Sequence, residues 1–315
     1  MDTTGCGRAS HAPRMREVQE VIVKAVRRRR GLASVNLATL FFGLAGVLGK
    51  LSGLPAPLIT LGRVVFAGAA LALWAASART PLRPRSRSDL GLLTLQGVIL
   101  ALHWTAFFQA IVVSNVAIGL LAFSSFPLFT AALEPLLLRQ RPRLAEIVAA
   151  ILILPGIVLL VPRFSLDNAA TRGVLWGLLA GATFALLSVI NRSLSSRYPS
   201  VTISLYQDSV AALALLPTVF LLPLGGVFNV RTLLILAALG LACTALAHTL
   251  FIASLRDITA QLASVIAALE PVWGIFFAWL LLAEAPSART LAGGALIVAA
   301  ALLPGAVALA QRRAT

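Results

Sequence analysis

The chain has 315 residues, of which 59% are hydrophobic and 12% charged, and its formal net charge is +15. An ordinary soluble domain is about 25% charged. This chain instead repeats apolar stretches of bilayer length, which excludes a soluble protein and a transmembrane barrel of short alternating strands. The basic residues stand in short loops beside these stretches, so they predict membrane orientation and no nucleic-acid partner.

The first predicted element is a polar, basic tail over residues 1–30. Apolar residues between Val18 and Val26 recur at helical spacing just before the basic cluster Arg27 to Arg30. Two interpretations stay open: a charged cytoplasmic segment that fixes topology, or an amphipathic helix that lies on an anionic leaflet.

The hydropathy pattern then predicts ten membrane-spanning helices, so the predicted fold class is an all-α polytopic membrane protein. The predicted spans cover about residues 32–52, 57–78, 90–110, 115–138, 144–162, 172–192, 200–223, 231–253, 258–282 and 289–310. Their connections are short, so neighbouring helices are expected to run antiparallel.

The fourth and ninth spans carry an internal repeat. A shift of 144 residues lays TAQLASVIAALEPVWGIFFAWLLLAEAPS over NVAIGLLAFSSFPLFTAALEPLLLRQRPR, with five of twenty-nine positions identical. The shift matches Pro127 with Pro271, and Gln140 with Glu284. We therefore expect two five-helix repeats, residues 31–165 and 166–315. Because five is odd, the second repeat would be inverted relative to the first, with a site between them near the midplane.

Lysine and arginine residues are distributed unevenly between the two predicted sides of the membrane. One side carries twenty of them, including those of the tail and the C-terminal end, and the other carries five. Cytoplasmic loops carry the excess of basic residues, so both termini are predicted to be cytoplasmic. Lys50 after the first span and Arg192 after the sixth are then expected at opposite faces.

Ionisable side chains within spans are costly in lipid and indicate functional sites by default. Glu270 lies about halfway along the ninth span, before Pro271. It either meets a substrate ammonium or a proton, or it bonds the helix end that the proline frees. Arg63 in the second span and Asp208 in the seventh are either gate residues or partners that neutralise polar groups. Lys50 and His248 are grouped with them as gating or structural residues.

Two histidines and several aromatic residues are further candidates. His103 stands in HWTAFFQ beside Trp104 and Phe107, and His248 lies at a similar place in the eighth span. Each histidine either contacts a substrate or is neutral and bonded to a backbone carbonyl. The aromatic residues, with Trp273 from the ninth span, either line a cavity for the apolar body of a ligand or pack between helices and lipid.

The sequence contains no nucleotide-binding P-loop, catalytic signature or metal-ligand spacing, so we predict no cofactor, no metal site and no enzymatic activity. Pro127 and Pro271 interrupt helical hydrogen bonds and are predicted hinges. Glycine repeats on the first and sixth spans allow close packing within one chain or between two. A monomer and a homodimer therefore both stay open.

The segments ALHWTAFFQAIVVSNVAIGLLAFSSFPLFTAALEPLL and RDITAQLASVIAALEPVWGIFFAWLLLAEAPS resemble EamA-type members of the drug/metabolite transporter superfamily. The resemblance covers about residues 32–310 and is greatest to YddG-type exporters of aromatic amino acids. It implies two five-span units and a basic residue in the second span, which Arg63 matches. The chain departs from the family pattern at Gln140, where an acid matching Glu284 is common.

The resemblance implies a secondary transporter or facilitator of a bacterial inner membrane. Such a protein would export amino acids or related metabolites by alternating access, with or without proton coupling. The expected substrate-binding residues are His103, Trp104, Phe107, Glu270 and Trp273. Export of hydrophobic drugs or cations is the alternative within transport. A non-transporting membrane enzyme or scaffold is the alternative of another class.

Overall fold

The computed structural model describes residues 12–138, 144–161, 163, 165–224 and 229–313, and all regular structure in these residues is helical. The helices are α1 (Ala12–Leu51), α2 (Ala56–Ser77), α3 (Arg87–Val113), α4 (Val116–Phe123), α5 (Phe126–Leu138), α6 (Leu144–Leu160), α7 (Ala169–Ser195), α8 (Ser200–Leu215), α9 (Thr218–Leu221), α10 (Val230–Gly240), α11 (Ala247–Ser254), α12 (Ala260–Ala267), α13 (Glu270–Leu282) and α14 (Ala288–Arg313). A π-helical turn, Leu241–Leu246, joins α10 to α11.

Eight helical segments within the described residues are long and apolar enough to cross a bilayer. They are Ile22–Leu51, Ala56–Ser77, Arg87–Val113, Val116–Leu133, Ala169–Ser195, Ser200–Leu221, Val230–Ser254 and Val265–Leu282. Two shorter apolar helical segments, Ile147–Leu160 and Ala288–Leu303, coincide with the predicted fifth and tenth spans. The chain is thus a multi-pass, all-helical membrane protein, and the number of ten spans stays a prediction.

The predicted fourth and ninth spans are each built from two consecutive helices. The first break falls between α4 and α5, and the second between α12 and α13. Pro127 and Pro271 each occupy the second position of the following helix. A proline there loses no hydrogen bond, because the first N–H groups of a helix have no intrahelical partner. The two prolines therefore begin new helical segments.

Residues 12–30 of the basic tail continue the first span as one helix, and residues 1–11 lie outside the described residues. Helix α1 has 40 residues, which corresponds to about 60 Å at 1.5 Å per residue. Lys24 and Arg27 to Arg30 are exposed on it. No break between the basic cluster and the apolar part marks a change of direction within residues 12–51.

The two halves pack against one another by equivalent contacts. Helix α1 packs on α11 and on α13, and its counterpart α7 packs on α3 and on α4 with α5. Helix α2 packs on its counterpart α8, and α6 on its counterpart α14. Exchanging the halves therefore reproduces these main contacts, as expected for repeats related by a two-fold axis.

Glycines permit two of these equivalent crossings. A Cβ atom on Gly43 of α1 would lie 2.7 Å from the backbone nitrogen of Gly274 on α13. On α7, a Cβ atom on Gly181 would lie 3.1 Å from the carbonyl oxygen of Phe123. The glycines of the sixth predicted span thus serve packing within the chain, which is one of the two uses the sequence left open.

Candidate functional site

A cavity lies among the helices of both halves. Its volume is about 20 Å³, which is room for roughly one water molecule, so in this structure the cavity is too small to hold a substrate. The lining residues combine aromatic rings with four polar side chains. They are Phe42, Ala45, Arg63, Leu100, His103, Trp104, Phe107, Phe123, Phe184, His248 and Glu270.

Arg63 is the largest polar side chain at this cavity and is only 1% exposed. Its Nε donates to Thr244 Oγ1 at 2.8 Å, and one Nη donates to the Cys243 carbonyl at 3.1 Å. Its guanidinium lies 3.9 Å from the ring centroid of Trp104, a cation–π contact. The two ion pairs found among the described residues involve other arginine and lysine side chains. Arg63 is therefore a buried cation held by neutral groups.

The π-helical turn places the two acceptors of Arg63. Thr244 Oγ1 donates to the Leu239 carbonyl five residues earlier, at 2.8 Å, and in turn accepts from Arg63. A π-helical turn shifts the register of backbone bonds, which often occurs at functional sites. Here it presents one side-chain oxygen and one backbone oxygen to the same guanidinium.

Glu270 faces the same cavity from the other half of the molecule. It is 2% exposed and is the first residue of α13, directly after the helix break. The positive end of the helix dipole favours a carboxylate at that place. Glu270 and Asp208 are the acids in the surroundings of Arg63, and neither forms an ion pair with it in the described residues. The 144-residue shift places Phe126 at the position equivalent to Glu270.

The two histidines meet around Trp104. His103 Nδ1 lies 3.0 Å from the Ala180 carbonyl, which can only accept, so Nδ1 carries the hydrogen and Nε2 is left as an acceptor. The ring of His248 packs edge-on against Trp104 with centroids 5.2 Å apart. His248 Nδ1 has no hydrogen-bond partner within the described chain.

A cluster of phenylalanine rings closes the apolar part of the cavity. Phe184 is its centre, with ring centroids 5.0 Å from Phe126, 5.4 Å from Phe123 and 5.2 Å from Phe251. Phe123 also packs edge-on against Phe107 at 5.3 Å. Centroid distances of this kind are typical of favourable aromatic pairs. Helices of both halves contribute rings, so a movement of one half against the other changes the cluster.

Lys50 closes one end of the molecule. It forms an ion pair with Glu284, and the other carboxylate oxygen of Glu284 accepts the Val116 backbone N–H at 3.1 Å. This three-part contact, which we call the Lys50 latch, ties the end of α1 to the segment after α13 and to the start of α4. A second cavity of about 370 Å³, lined in part by Asn115, Glu284 and Arg289, lies beside it.

The opposite end has a different closure. Arg192, near the end of α7, donates to the carbonyl oxygens of Leu255 at 3.3 Å and Ile258 at 2.5 Å. Helices α3 and α7 are antiparallel, because Gly173 at the start of α7 approaches the end of α3 while Arg197 after α7 pairs with Asp89 at the start of α3. The end of α1 approaches the end of α3 through Gly49 and Phe108. Lys50 and Arg192 thus lie at opposite ends.

The structure gathers four of the five expected substrate-binding residues at one cavity: His103, Trp104, Phe107 and Glu270. Trp273 is not among its lining residues and is 41% exposed. The Cβ atom of Trp273 lies where α13 crosses Gly43 of α1. We therefore omit it from the proposed site.

The polar residues expected in gating or structural roles divide into two groups. Arg63 and His248 line the cavity, whereas Lys50 lies in the latch and Asp208 is fully buried away from the lining. Sequence reasoning did not select Thr244, because its role depends on the π-helical turn and leaves no local pattern. Phe184 was not selected as a site residue either. The sequence does carry a signal for it, because Phe184 precedes Arg192 by eight residues, as Phe42 precedes Lys50.

The described residues contain no group of three histidine, cysteine, aspartate or glutamate side chains that could hold a metal ion. The fold and the site together define a multi-pass helical membrane protein whose two similar halves enclose a cavity with one buried cation, one buried acid and many aromatic rings.

Comparisons with known proteins identify the family. The model of the EamA-like transporter family matches residues 29–161 and again residues 171–304. The chain therefore belongs to the EamA-like transporter family, with one copy of the family unit in each half.

Individual relatives agree with this assignment. An uncharacterized transporter, YwfM of Bacillus subtilis, is 29% identical over 252 residues, which is 77% of this chain and 84% of the relative. The pseudopaline exporter CntI of Pseudomonas aeruginosa is 28% identical over 220 residues, 69% of this chain and 75% of the relative. A crystal structure with 22% identity has a TM-score of 0.66, covers 92% of this chain and 99% of its own, and shows the fold alone. These relatives do not single out YddG-type exporters, so that subgroup stays a prediction.

Proposed function

We propose that the protein is a secondary transporter or facilitator that exports amino acids or related metabolites across a bacterial inner membrane by alternating access. The observation that carries this proposal is that Arg63 and Glu270 both line one small, aromatic cavity. Arg63 would bind a substrate carboxylate, and Glu270 would bind a substrate ammonium group. Both charged groups lie in a low-dielectric interior, where charge-assisted hydrogen bonds are strong.

The aromatic rings account for the apolar body of the substrate. Trp104 and Phe107 line the cavity beside His103, whose Nε2 is left to accept a hydrogen bond. Phe184 and Phe123 line it from the sixth and fourth predicted spans. An amphiphilic molecule with both charges at one end and a side chain at the other suits this arrangement. The exporter of pseudopaline among the relatives supports export of a metabolite.

The proposed transport cycle uses the two-fold arrangement of the halves. Ten spans would form two inverted five-helix repeats, and the equivalent packing of α1 and α7 supports that relation. The helix breaks before Pro127 and Pro271 would act as hinges. The Lys50 latch would close the periplasmic end, and the contacts of Arg192 would close the cytoplasmic end. Each closure would open in turn while the other holds.

The proposed orientation places both termini in the cytoplasm. It rests on the excess of lysine and arginine on the side that carries the basic tail. The long helix α1 would then project its basic cluster into the cytoplasm. Lipid would surround the helical bundle and contact its outer surface. The proposed molecule needs no cofactor, metal or nucleic acid, and both a monomer and a homodimer are compatible with a site enclosed by one chain.

Flux measurements in proteoliposomes test the proposal. Liposomes loaded with labelled phenylalanine, threonine or methionine should release label faster with the protein than without it. Arg63→Gln and Glu270→Gln should each reduce flux at least tenfold, because each variant removes one charged contact worth about 1.5–3 kcal/mol. Gly68→Ala is a matched control, since a Cβ atom at Gly68 meets nothing within 4 Å. Absence of protein-dependent flux for every amino acid tested would overturn the proposal.

Export of hydrophobic drugs or cations is the second candidate, and Glu270 beside an aromatic cavity favours it. A lipophilic cation should then compete for transport, and Arg63→Gln should improve its flux by removing a like charge. For a zwitterionic substrate, the same substitution should reduce flux at least tenfold. A membrane enzyme or scaffold would show no flux of either substrate and a cavity that never opens.

A further inference from the structure

Asp208 is a buried acid that the substrate site does not use. It lies on α8, is 0% exposed and does not line the central cavity. Neither of its carboxylate oxygens has a hydrogen-bond partner within the described residues. An ionised carboxylate without partners is very costly in an apolar interior, and such a group becomes neutral instead. The surroundings of Asp208 therefore decide its charge.

Asp89 shows how the same chain holds an aspartate that is charged. Asp89 is 5% exposed, accepts the Tyr198 hydroxyl at 2.6 Å and forms an ion pair with Arg197. Each of its carboxylate oxygens has a donor. Asp208 has the same side chain and similar burial, but no donor reaches either oxygen. The two aspartates therefore form a natural pair for comparison.

The charged group nearest in effect to Asp208 is Arg63, on the neighbouring helix α2. The titratable groups on the elements packed against α8 include Arg63 on α2, Asp89 and His103 on α3, Arg192 on α7 and His248 on α11. Of these, the Arg63 guanidinium acts on Asp208 through space. Arg63 donates to Thr244 and to the Cys243 carbonyl, and it forms no ion pair with Asp208.

We infer that Asp208 is a proton-binding site, separate from the substrate cavity, and that it carries a proton in this arrangement of the helices. From the sequence, proton uptake by Glu270 was one of the open alternatives. Glu270 lines the cavity and stands at a positive helix end, where water or a substrate ammonium can balance its charge. Asp208 has neither kind of support. A neutral Asp208 also leaves the charge of Arg63 available to a substrate carboxylate.

Polar side chains precede Asp208 on α8. Ser204 lies one helical turn before Asp208, and its hydroxyl accepts from Thr249 at 3.1 Å. Gln207, the preceding neighbour of Asp208, donates to Asn191 at 2.7 Å and also to Gln96. When the cytoplasmic end opens, water would reach this polar group, the carboxyl O–H bond would break, and the proton would pass to water. The resulting carboxylate would then compete with substrate for Arg63.

Infrared spectroscopy tests the inference on the intact protein in lipid at neutral pH. A protonated carboxyl group has its own C=O stretch, which shifts on transfer to D₂O. Wild type should show one such carboxyl that Asp208→Asn lacks, whereas Asp89→Asn and Glu270→Gln should keep it. A spectrum of Asp208→Asn identical to that of wild type would overturn the inference. Loss of the band in Glu270→Gln alone would also overturn it, because the proton would then lie on Glu270.

A second variant protects the test against a folding defect. Asp208→Leu has about the same shape and suits a site where the native group is neutral, so it should fold even if the asparagine amide is not tolerated. Failure of both variants to fold would show that a charge is required there, and would overturn the inference. The competition for Arg63 rests on the proposed function, but the infrared test requires no transport. The two proposals can therefore fail separately.

Discussion

Replacing Glu284 with glutamine isolates the charge of the Lys50 latch. Glutamine keeps an oxygen that can accept the Val116 N–H, now 3.1 Å from Glu284, but it cannot form an ion pair with Lys50. The first half carries glutamine, Gln140, at the equivalent place, although Gln140 lies outside the described residues. Glu284→Gln therefore gives the second half the side chain that the first half has by nature.

The size of the effect follows from the exposure of the pair. The side chains of Lys50 and Glu284 are 28% and 26% exposed, so water screens their attraction. Pairs of this kind contribute about 0.2–1 kcal/mol. If the pair exists only when the end that carries Lys50 is closed, its loss should raise the ratio of open to closed molecules at most about fivefold. At 1 M salt, where the screening length is about 3 Å, the difference should shrink.

Alkylation of a cysteine in the cavity measures this ratio. Ala45→Cys, in a background with Cys6→Ser and Cys243→Ala, places a thiol among the lining residues. An impermeant thiol reagent added from the side that carries Lys50 should react up to about fivefold faster in Glu284→Gln than in its parent. Lys50→Gln should give the same increase. The double variant should match either single variant, because both remove one shared interaction. Additive effects, or no change in either single variant, would refute the latch.

Three further predictions concern packing, the helix ends and the position of Arg63. Gly43→Ala should lower the thermal midpoint in detergent by overpacking that costs about 1–3 kcal/mol, whereas Gly68→Ala should not lower it, since its Cβ meets nothing. Burial and the hydrogen bond to Asp89 raise the pKa of Tyr198. Tyr198→Phe should destabilise the protein by about 1–3 kcal/mol at neutral pH, measured as a lower denaturation midpoint. Tyr198→Trp should likewise have a lower midpoint than wild type. Thr244→Val should weaken transport of carboxylate substrates severalfold while Thr244→Ser retains it, as measured by apparent KM in liposomes.

The membrane fold was largely predictable because bilayer insertion depends on long apolar segments. Each predicted span coincides with a helix or with consecutive helices, and the two family units match the predicted halves. The exact breaks were less predictable. Pro127 and Pro271 indicated kinks, but a proline disturbs the turn before it, and the sequence does not show whether a helix bends or ends there. Gly43 on α1 and Gly181 on α7 contact the broken spans near the observed breaks. These two glycines lie on other helices, so the sequence around the prolines does not reveal the contacts.

The candidate site was predictable where a polar group stands inside an apolar run. Arg63, His103 and Glu270 could be selected because charged or polar groups in lipid need a reason to be there. Their grouping at one cavity depends on helix rotation, which the weak amphipathic patterns of buried membrane helices do not define. Trp273 illustrates the difference. Its aromatic side chain suits a cavity, but the residue lies at a helix crossing and does not line the cavity.

The two-fold arrangement and the polar site make opposite demands on the sequence. Alternating access by equivalent halves requires similar helix packing, which the paired contacts of α1 and α7 provide. Binding a zwitterion requires unequal groups, because its two charges differ. Under the proposed function, the chain would meet both demands by keeping the prolines similar while changing single side chains at equivalent places. Phe126 stands where Glu270 does, and Gln140 where Glu284 does. If the halves differ in this way, exchanging Phe126 and Glu270 should place the acid against Phe184. The exchanged variant should lose amino-acid flux, and its thermal midpoint should fall because a carboxyl group among phenylalanine rings is costly. Flux equal to that of wild type in the exchanged variant would refute the role given to Glu270.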